Sequence, residues 1–248
     1  MDHKINIKLS SKKGKSNNIT FDIKGDSEHG LDKSVVNSIR RVLLSSIPTV
    51  GFRTEIDQSD ITIVKNNTSL HNEFLLHRMG LLPLYIDPID FNKNYLFHLN
   101  VENINDPVKT ITAENINIYP LKKNIDPDLL KEVDMNNYDL ESPLKEKDKM
   151  NIFRPFKFQN QKSYCILTEL KNTNSETKQS LELYGVPRVS FGYEDARWQS
   201  VSCATYSFKK NNDLFKKILN EKIDIENIKD KKAFEKELYI KESERYYY

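Results

Sequence analysis

One apolar helix near the start of the chain limits most strongly what the chain can fold into. Between residues 31 and 46, apolar side chains recur at spacings of three and four, which predicts a helix with one apolar face. Asp32 or Ser34 can cap its first turn, and Pro48 prevents the helix from continuing.

The same stretch, NSIRRVLLSSIP, carries two adjacent arginines, Arg40 and Arg41. Successive residues of a helix diverge by about 100°. The two arginines therefore cannot both lie on the apolar face, and they must emerge at its edge or back. The residues that form the apolar face are Val35, Ile39, Val42, Leu43 and Ile47.

Composition predicts a folded chain without membrane segments. Of the 248 residues, 38% are apolar and 30% are charged, and 12 Phe and 12 Tyr make aromatic burial available. The net charge of +2 argues against direct nucleic-acid binding. The first residues lack the apolar core of a secretion signal, and the most apolar stretch, FLLHRMGLLPLYI, is too short to cross a bilayer. We expect an intracellular, soluble protein.

Residue patterns that indicate catalysis or cofactor binding are absent from the sequence. The seven glycines form no phosphate-binding loop. His71 and His77 are six residues apart and cannot form an i, i+4 metal pair, and Glu73 with His77 reads as a surface contact. Cys165 and Cys203 are predicted to be two buried, reduced thiols. We expect no catalytic residue, cofactor or metal, and an autonomous enzyme is the least favoured class.

Hydrophobic periodicity predicts an α+β fold. The predicted strands are 3–9 and 19–24, which form a hairpin, followed by 50–56, 61–65, 95–101, 109–119, 162–170 and 200–208. A short helix capped by Thr68 or Ser69 is expected to end at Gly80. Residues 121–155 are predicted to form a surface insertion or mobile loop, and the C-terminal segment from residue 213 is predicted to be largely helical.

Three sequence motifs resemble one family. NSIRRVLLSSIP, at residues 37–48, resembles the first long helix of the bacterial RNA polymerase alpha subunit, the archaeal D subunit and the third-largest subunit of eukaryotic RNA polymerase II. NTSLHNEFLLHRMGLLPL, at 67–84, and GYEDARWQSV, at 192–201, resemble segments of the archaeal and eukaryotic branch. The motif residues singled out are Glu73, Phe74, His77, Arg78, Gly80, Pro83, Ala196, Arg197 and Trp198.

The resemblance implies a two-domain architecture. A dimerisation-type domain would comprise residues 1–52 and 208–248, and an inserted, mostly β domain would comprise residues 53–207. Relatives end with a strand and a long amphipathic helix, which we expect to be missing after SERYYY. Many relatives also carry a cysteine zinc loop or iron–sulfur ligands, and this chain has neither motif. We therefore do not carry a metal over from the family.

The resemblance also implies a role for the arginines. In the family this helix packs against its counterpart in an alpha-like partner, and its outer face docks the second-largest subunit. Arg41 matches the position that contacts that subunit, where a guanidinium can pair with a carboxylate. A solvated arginine pair is the alternative. The predicted interface residues are Val35, Asn37, Ile39, Arg40, Arg41, Val42 and Leu43.

The function implied is that of a non-catalytic assembly subunit of DNA-directed RNA polymerase. Its partners would be a small alpha-like subunit and the second-largest and largest subunits, with DNA contacted only indirectly. The alternative is a truncated, free-standing relative that binds polymerase subunits and regulates assembly. The expected location is the nucleus, or the cytoplasm or virion if the high Asn, Lys and Ile usage reflects a viral source.

Overall fold

The structure is a computed structural model of the 248-residue chain, and it describes most of the first 207 residues. The described residues are 5–12, 18–25, 31–89, 91, 95–121, 142–159, 161–172, 178–207, 216–217, 219–221 and 232–233. The chain divides into two compact units, one of Met1–Arg40 with Ala204–Tyr248 and one of Arg41–Cys203. The predicted domain boundaries, after residues 52 and 207, stay a prediction.

The first unit contains the predicted hairpin. Strands β1 (Asn6–Lys12) and β2 (Ile19–Lys24) pair antiparallel, with Ile7 opposite Ile23 and Leu9 opposite Phe21. These apolar cross-strand pairs share one face because side chains alternate along a strand.

The predicted apolar helix is confirmed as α1 (Lys33–Ser45). The backbone N–H of Ser34 donates to Asp32 Oδ1 at 2.6 Å, so Asp32 caps the first turn as expected. The helix ends before Pro48, which begins the next strand. No helix among the described residues is both long enough and apolar enough to span a membrane.

The second unit is built on a four-stranded antiparallel sheet. The strands of the whole unit are β3 (Pro48–Gly51), β4 (Ile61–Asn66), β5 (Tyr95–Glu102), β6 (Val108–Thr112), β7 (Asn117–Pro120), β8 (Phe156–Phe158), β9 (Gln161–Ser163), β10 (Ile166–Lys171), β11 (Ser180–Gly185) and β12 (Arg188–Phe191). The four-stranded sheet has the order β4-β11-β5-β7, and β3 pairs with β12, β6 with β10, and β8 with β9. Two helices, α2 (Asn72–Gly80) and α3 (Glu146–Phe153), complete the unit.

The core of this unit lies on one face of the sheet. Leu183 of β11 and Phe97 of β5 are fully buried there. The ring of Phe97 meets Phe52 edge-on at 5.2 Å between centroids, and Phe153 of α3 at 6.0 Å. Helix α2 adds Leu75, Leu76 and Met79 to the same core. A smaller cluster of Leu96, Tyr184 and Val186 covers the other face.

Several predicted elements were wrong in place or length. Of the expected strand 50–56, only Val50 and Gly51 belong to a strand, β3 (Pro48–Gly51), and Ile56–Gln58 forms a 3-10 turn. Strand 109–119 is broken by a 3-10 turn at Ala113–Asn115. The expected strand at 200–208 is not a strand over residues 200–207, the part that the structure describes. Local β propensity did not decide these positions, because each lacks a continuous pairing partner.

Two further expectations are corrected by packing. Helix α3 lies inside the predicted loop 121–155 and buries Ile152 and Phe153, whereas residues 122–141 lie outside the described residues. Helix α2 ends at Gly80 as predicted, but its N-cap is His71, without a side-chain cap. Thr68 Oγ1 instead accepts the backbone N–H of Leu70 at 3.1 Å. Of the predicted C-terminal helix, only a few helical residues are described.

Candidate subunit interface

The predicted apolar face of α1 is present and is only partly covered. None of the residues of α1 is buried. Val42 is 53% exposed and Val35 is 36% exposed, while Ile39 and Leu43 are half-buried. Exposed apolar surface of this kind is typical of a binding site.

The two arginines of α1 lie in different surroundings. Arg41 is exposed, and helical geometry places it about 145° around the axis from the centre of the apolar face. Arg40 is half-buried, and its Nε donates to Asn37 Oδ1 at 3.0 Å. Arg40 is therefore held by its own helix, whereas Arg41 projects outward.

Sequence reasoning missed a second apolar surface, on the β1–β2 hairpin. Ile7, Leu9 and Ile19 are exposed, although Ile7 and Leu9 belong to cross-strand apolar pairs. The strict alternation of apolar and polar residues could have revealed it, because one face of such a hairpin is apolar and needs cover.

The third motif closes the C-terminal end of α1. The backbone N–H of Tyr193 donates to the carbonyl of Ser45 at 3.0 Å, and Ser200 Oγ donates to the carbonyl of Leu43 at 3.5 Å. These bonds satisfy carbonyl groups that have no partner within the helix. A Cβ at Gly192 would lie 2.6 Å from the carbonyl oxygen of Leu44, so only glycine allows this approach.

Trp198 packs against β3, the strand that follows α1. Its side chain is 3% exposed, and a Cβ at Gly51 of β3 would lie only 2.9 Å from Trp198 Cζ3. Thr49 Oγ1 donates to the carbonyl of Trp198 at 2.6 Å. The third motif therefore packs against the strand that directly follows the first motif.

Arg197 joins the second and third motifs. Its Nε donates to Asp195 Oδ1 at 3.0 Å, its Nη2 lies 3.0 Å from Glu55 Oε1, and its Nη1 donates to Thr54 Oγ1. A Cβ at Gly80 would lie 2.8 Å from Thr54 Oγ1 and 3.2 Å from Arg197 Nη1. The end of α2 can therefore approach this network only because residue 80 is glycine.

Arg197 also sets the ionisation of Asp195. The backbone N–H and the side chain of Arg197 both donate to Asp195, and these bonds lower the pKa of its carboxyl below the ordinary value of 3.8. Because its pKa is lower in the folded state than in the unfolded state, Asp195 stabilises the fold at pH values above its unfolded-state pKa. That contribution is lost as pH falls through the folded pKa.

The lowered pKa of Asp195 gives a testable prediction for Asp195→Asn. The variant should be less stable than the wild-type protein near neutral pH, and the difference should shrink below about pH 4. Because the side chain of Asp195 is 42% exposed, solvent screening keeps the effect below about 1 kcal/mol. Urea denaturation at several pH values measures it, with Glu169→Gln at an exposed position of β10 as a control. A difference that grows on acidification would contradict the assignment.

A buried ion pair joins the residue before β4 to the first residue of β12. The carboxylate of Asp60 is fully buried and accepts two hydrogen bonds of 2.8 Å from Arg188 Nε, together with one from Nη2. It also accepts the backbone N–H of Arg53 at 2.8 Å. Burial raises the pKa of Asp60 above its ordinary value, against the opposing pull of Arg188.

The remaining motif residues lie mainly at the surface. Arg78 is exposed, and its Nη1 donates to the carbonyl of Leu167 at 2.7 Å, which ties α2 to β10. His77 is exposed and lies close enough to Asp195 to act on its charge. The other exposed motif residues are Glu73, Phe74, Pro83 and Ala196.

Two chemical expectations can be compared with the described residues. These residues contain no group of three or more His, Cys, Asp or Glu side chains that could hold a metal ion. Cys165 and Cys203 are free, as predicted, but both are exposed, so the prediction of burial was wrong. Cys165 precedes β10 and Cys203 follows the third motif, and neither position faces the core.

The fold is of the α+β class, with the second and third motifs in contact. A family model described as RNA polymerase Rpb3/Rpb11 dimerisation domain matches residues 26–243. This match covers most of the chain, so the chain belongs to that family. The predicted resemblance to alpha-like RNA polymerase subunits is thereby confirmed, and so is the α+β fold class.

Relatives with this domain are named as polymerase subunits. DNA-directed RNA polymerases I and III subunit rpac1 of Dictyostelium discoideum is 23% identical over 88% of this chain and 57% of its own length. DNA-directed RNA polymerase II subunit rpb3 of the same organism is 26% identical over 72% of this chain and 51% of its length. DNA-directed RNA polymerase subunit Rpo3 of Methanopyrus kandleri is 44% identical over 22% of this chain and 18% of its length. The chain thus spans about half the length of the two Dictyostelium relatives.

Proposed function

We propose that this chain is a non-catalytic assembly subunit of a multisubunit DNA-directed RNA polymerase. The observation that carries the proposal is the partly exposed apolar face of α1 in a chain that belongs to a dimerisation-domain family. In this role the chain binds a small alpha-like partner and then recruits the second-largest subunit. The largest subunit joins last, and DNA is reached only through the complex.

The apolar surfaces support a role in pairing with the small partner. Val35, Ile39, Val42 and Leu43 of α1 are all at least partly exposed, and they would gain burial in a heterodimer. Each large aliphatic side chain that becomes fully buried stabilises the complex by about 1.5–3 kcal/mol. The exposed apolar side chains of the hairpin offer further area for the same purpose.

Arg41 supports the assignment of a second partner. It lies on the side of α1 away from the apolar face, so a protein bound to that face leaves Arg41 free for another subunit. An exposed guanidinium can form a bidentate pair with a carboxylate of that subunit. Since the relatives are named as polymerase subunits, a working subunit is favoured over a free-standing regulator.

The location follows from the assembly. A polymerase subunit belongs where transcription occurs, which is the nucleus, or the cytoplasm or virion for a viral source. No catalytic residue is assigned to this chain.

The experiment is a tagged pull-down from the native source, quantified by mass spectrometry. We expect the wild-type chain to recover a small alpha-like partner and the two large polymerase subunits. Arg41→Ala should recover about tenfold less of the large subunits, as for an arginine that anchors an interface, with the small partner retained. Lys147→Ala removes an exposed cation from α3 and serves as the matched control. Recovery of no polymerase subunit by the wild-type chain would refute the proposal.

A further inference from the structure

An exposed aromatic pair lies beside the C-terminal end of α1. The rings of Phe191 and Tyr193 stack with 5.2 Å between centroids and an interplanar angle of 12°. Tyr193 is 64% exposed, so much of its surface remains open to solvent. Phe191 is half-buried and forms the support on which Tyr193 rests.

The backbone around Tyr193 is firmly held. Its N–H donates to the carbonyl of Ser45, and Gly192 packs directly against the carbonyl of Leu44. On the other side, the backbone N–H of Glu194 donates to the carbonyl of Phe191 at 3.0 Å. An aromatic side chain with a fixed backbone and a stacked ring loses little conformational freedom when it binds a partner.

Tyr193 lies at the C-terminal end of α1, about one helical turn beyond Arg41. Arg41 and Ser45 are four residues apart, which places them one above the other on one helical face. Ser45 Oγ donates to the carbonyl of Arg41 at 2.9 Å, and the carbonyl of Ser45 accepts the N–H of Tyr193. The exposed side chains of Arg41 and Tyr193 therefore start from backbone positions that are about one helical turn apart.

We propose that Tyr193, supported by Phe191, is a second anchor of the surface that includes Arg41. It receives an apolar side chain from the same protein whose carboxylate pairs with Arg41. This proposal rests on the proposed function, in which that protein is the second-largest polymerase subunit. Buried Tyr and Arg side chains contribute most of the binding free energy in many interfaces, which suits this pair of residues.

The test uses the same tagged full-length chain in its native source. Tyr193→Ala should recover about 10- to 100-fold less of the second-largest subunit than the wild-type chain, while the small alpha-like partner is recovered unchanged. Tyr193→Phe keeps the stacked ring and should stay within about threefold of the wild-type chain. The control is Phe156→Ala, which removes an aromatic side chain that is 70% exposed on β8. Urea denaturation of each purified variant checks that the fold is retained.

Each outcome bears on the two proposals separately. If Arg41→Ala loses the large subunits and Tyr193→Ala does not, the role of Tyr193 is refuted and the proposed function stands. If Tyr193→Ala loses the small partner as well, or Tyr193→Phe fails equally, the residue maintains structure and is not an anchor. If the wild-type chain recovers no polymerase subunit, the proposed function fails and the assignment of Tyr193 fails with it.

Discussion

Replacing Arg188 by methionine is expected to lower the free energy of unfolding by about 3–5 kcal/mol. The substitution removes the bidentate guanidinium from the fully buried carboxylate of Asp60, which keeps the hydrogen bond from the backbone N–H of Arg53. An unpaired buried charge costs far more than an exposed one, because the protein interior does not replace its hydration. Trp198 is the single tryptophan of the chain and is buried, so its fluorescence during urea denaturation measures the change.

The pH dependence of this variant has a definite sign. Burial already raises the pKa of Asp60, and Arg188 opposes that rise. Without Arg188, the folded-state pKa rises further above the unfolded value. A raised pKa in an acid means that stability is greatest below the unfolded pKa and is lost as pH rises through the folded pKa. The loss of unfolding free energy caused by Arg188→Met should therefore become smaller as the pH is lowered from about 7 to about 4.

A double substitution separates the charge from the packing. Asp60→Leu combined with Arg188→Met removes both charges and should recover most of the lost stability, as replacement of a buried ion pair by apolar residues often does. If the double variant is as unstable as Arg188→Met alone, the hydrogen bonds of the pair are needed for the local fold, and the unpaired charge is not the cause.

The sequence predicted the parts of this fold that depend on local pattern. Helix α1 and the β1–β2 hairpin are contiguous, and their periods of 3.6 and 2 residues can be read directly from the chain. The resemblance singled out Gly80, Arg197 and Trp198, and in the structure Gly80 lies beside Arg197 while Trp198 lies beside Gly51. Neither contact was predicted, because nothing in local periodicity brings residue 80 to residue 197 or residue 51 to residue 198.

The sequence did not predict the parts that depend on distant partners. Strand β11 is the centre of the main sheet, but its neighbours β4 and β5 are far away in the chain. Helix α3 was hidden by its charged residues, one of which, Lys149, is buried because its Nζ donates to the carbonyl of Glu114. Thr54, Glu55 and Asp60 showed no signal of their own, since each acquires its role only from Arg197 or Arg188.

The ion pair of Asp60 with Arg188 and the packing of Trp198 both support the paired strands β3 and β12. Arg188 begins β12, which pairs with β3 and leads directly into Phe191 and Tyr193. Strand β3 follows α1 and rests against Trp198. The positions of Arg41 and Tyr193 therefore depend on residues that would not contact a partner themselves. Variants of these supporting residues should weaken assembly together with stability, whereas Arg41 and Tyr193 variants should weaken assembly alone.

Trp198→Ala is expected to lower the free energy of unfolding by about 3–5 kcal/mol, because it removes a large buried side chain and leaves a cavity. Circular dichroism during urea denaturation measures this loss, since the variant no longer contains tryptophan.

The contact between Trp198 and Gly51 allows a sharper test with Gly51→Ala. In the wild-type protein the new Cβ would lie 2.9 Å from Trp198 Cζ3, so Gly51→Ala should cost about 1–3 kcal/mol through overpacking.

In the Trp198→Ala background the same substitution meets a cavity where the indole ring lay. We expect Gly51→Ala to be neutral or slightly stabilising there, because the close contact is gone and alanine restricts the unfolded chain more than glycine does. The two substitutions should thus be strongly non-additive, as is found for residues in direct contact. Additive effects would mean that Gly51 is required for a reason other than Trp198, and that the third motif does not hold β3 in the way described.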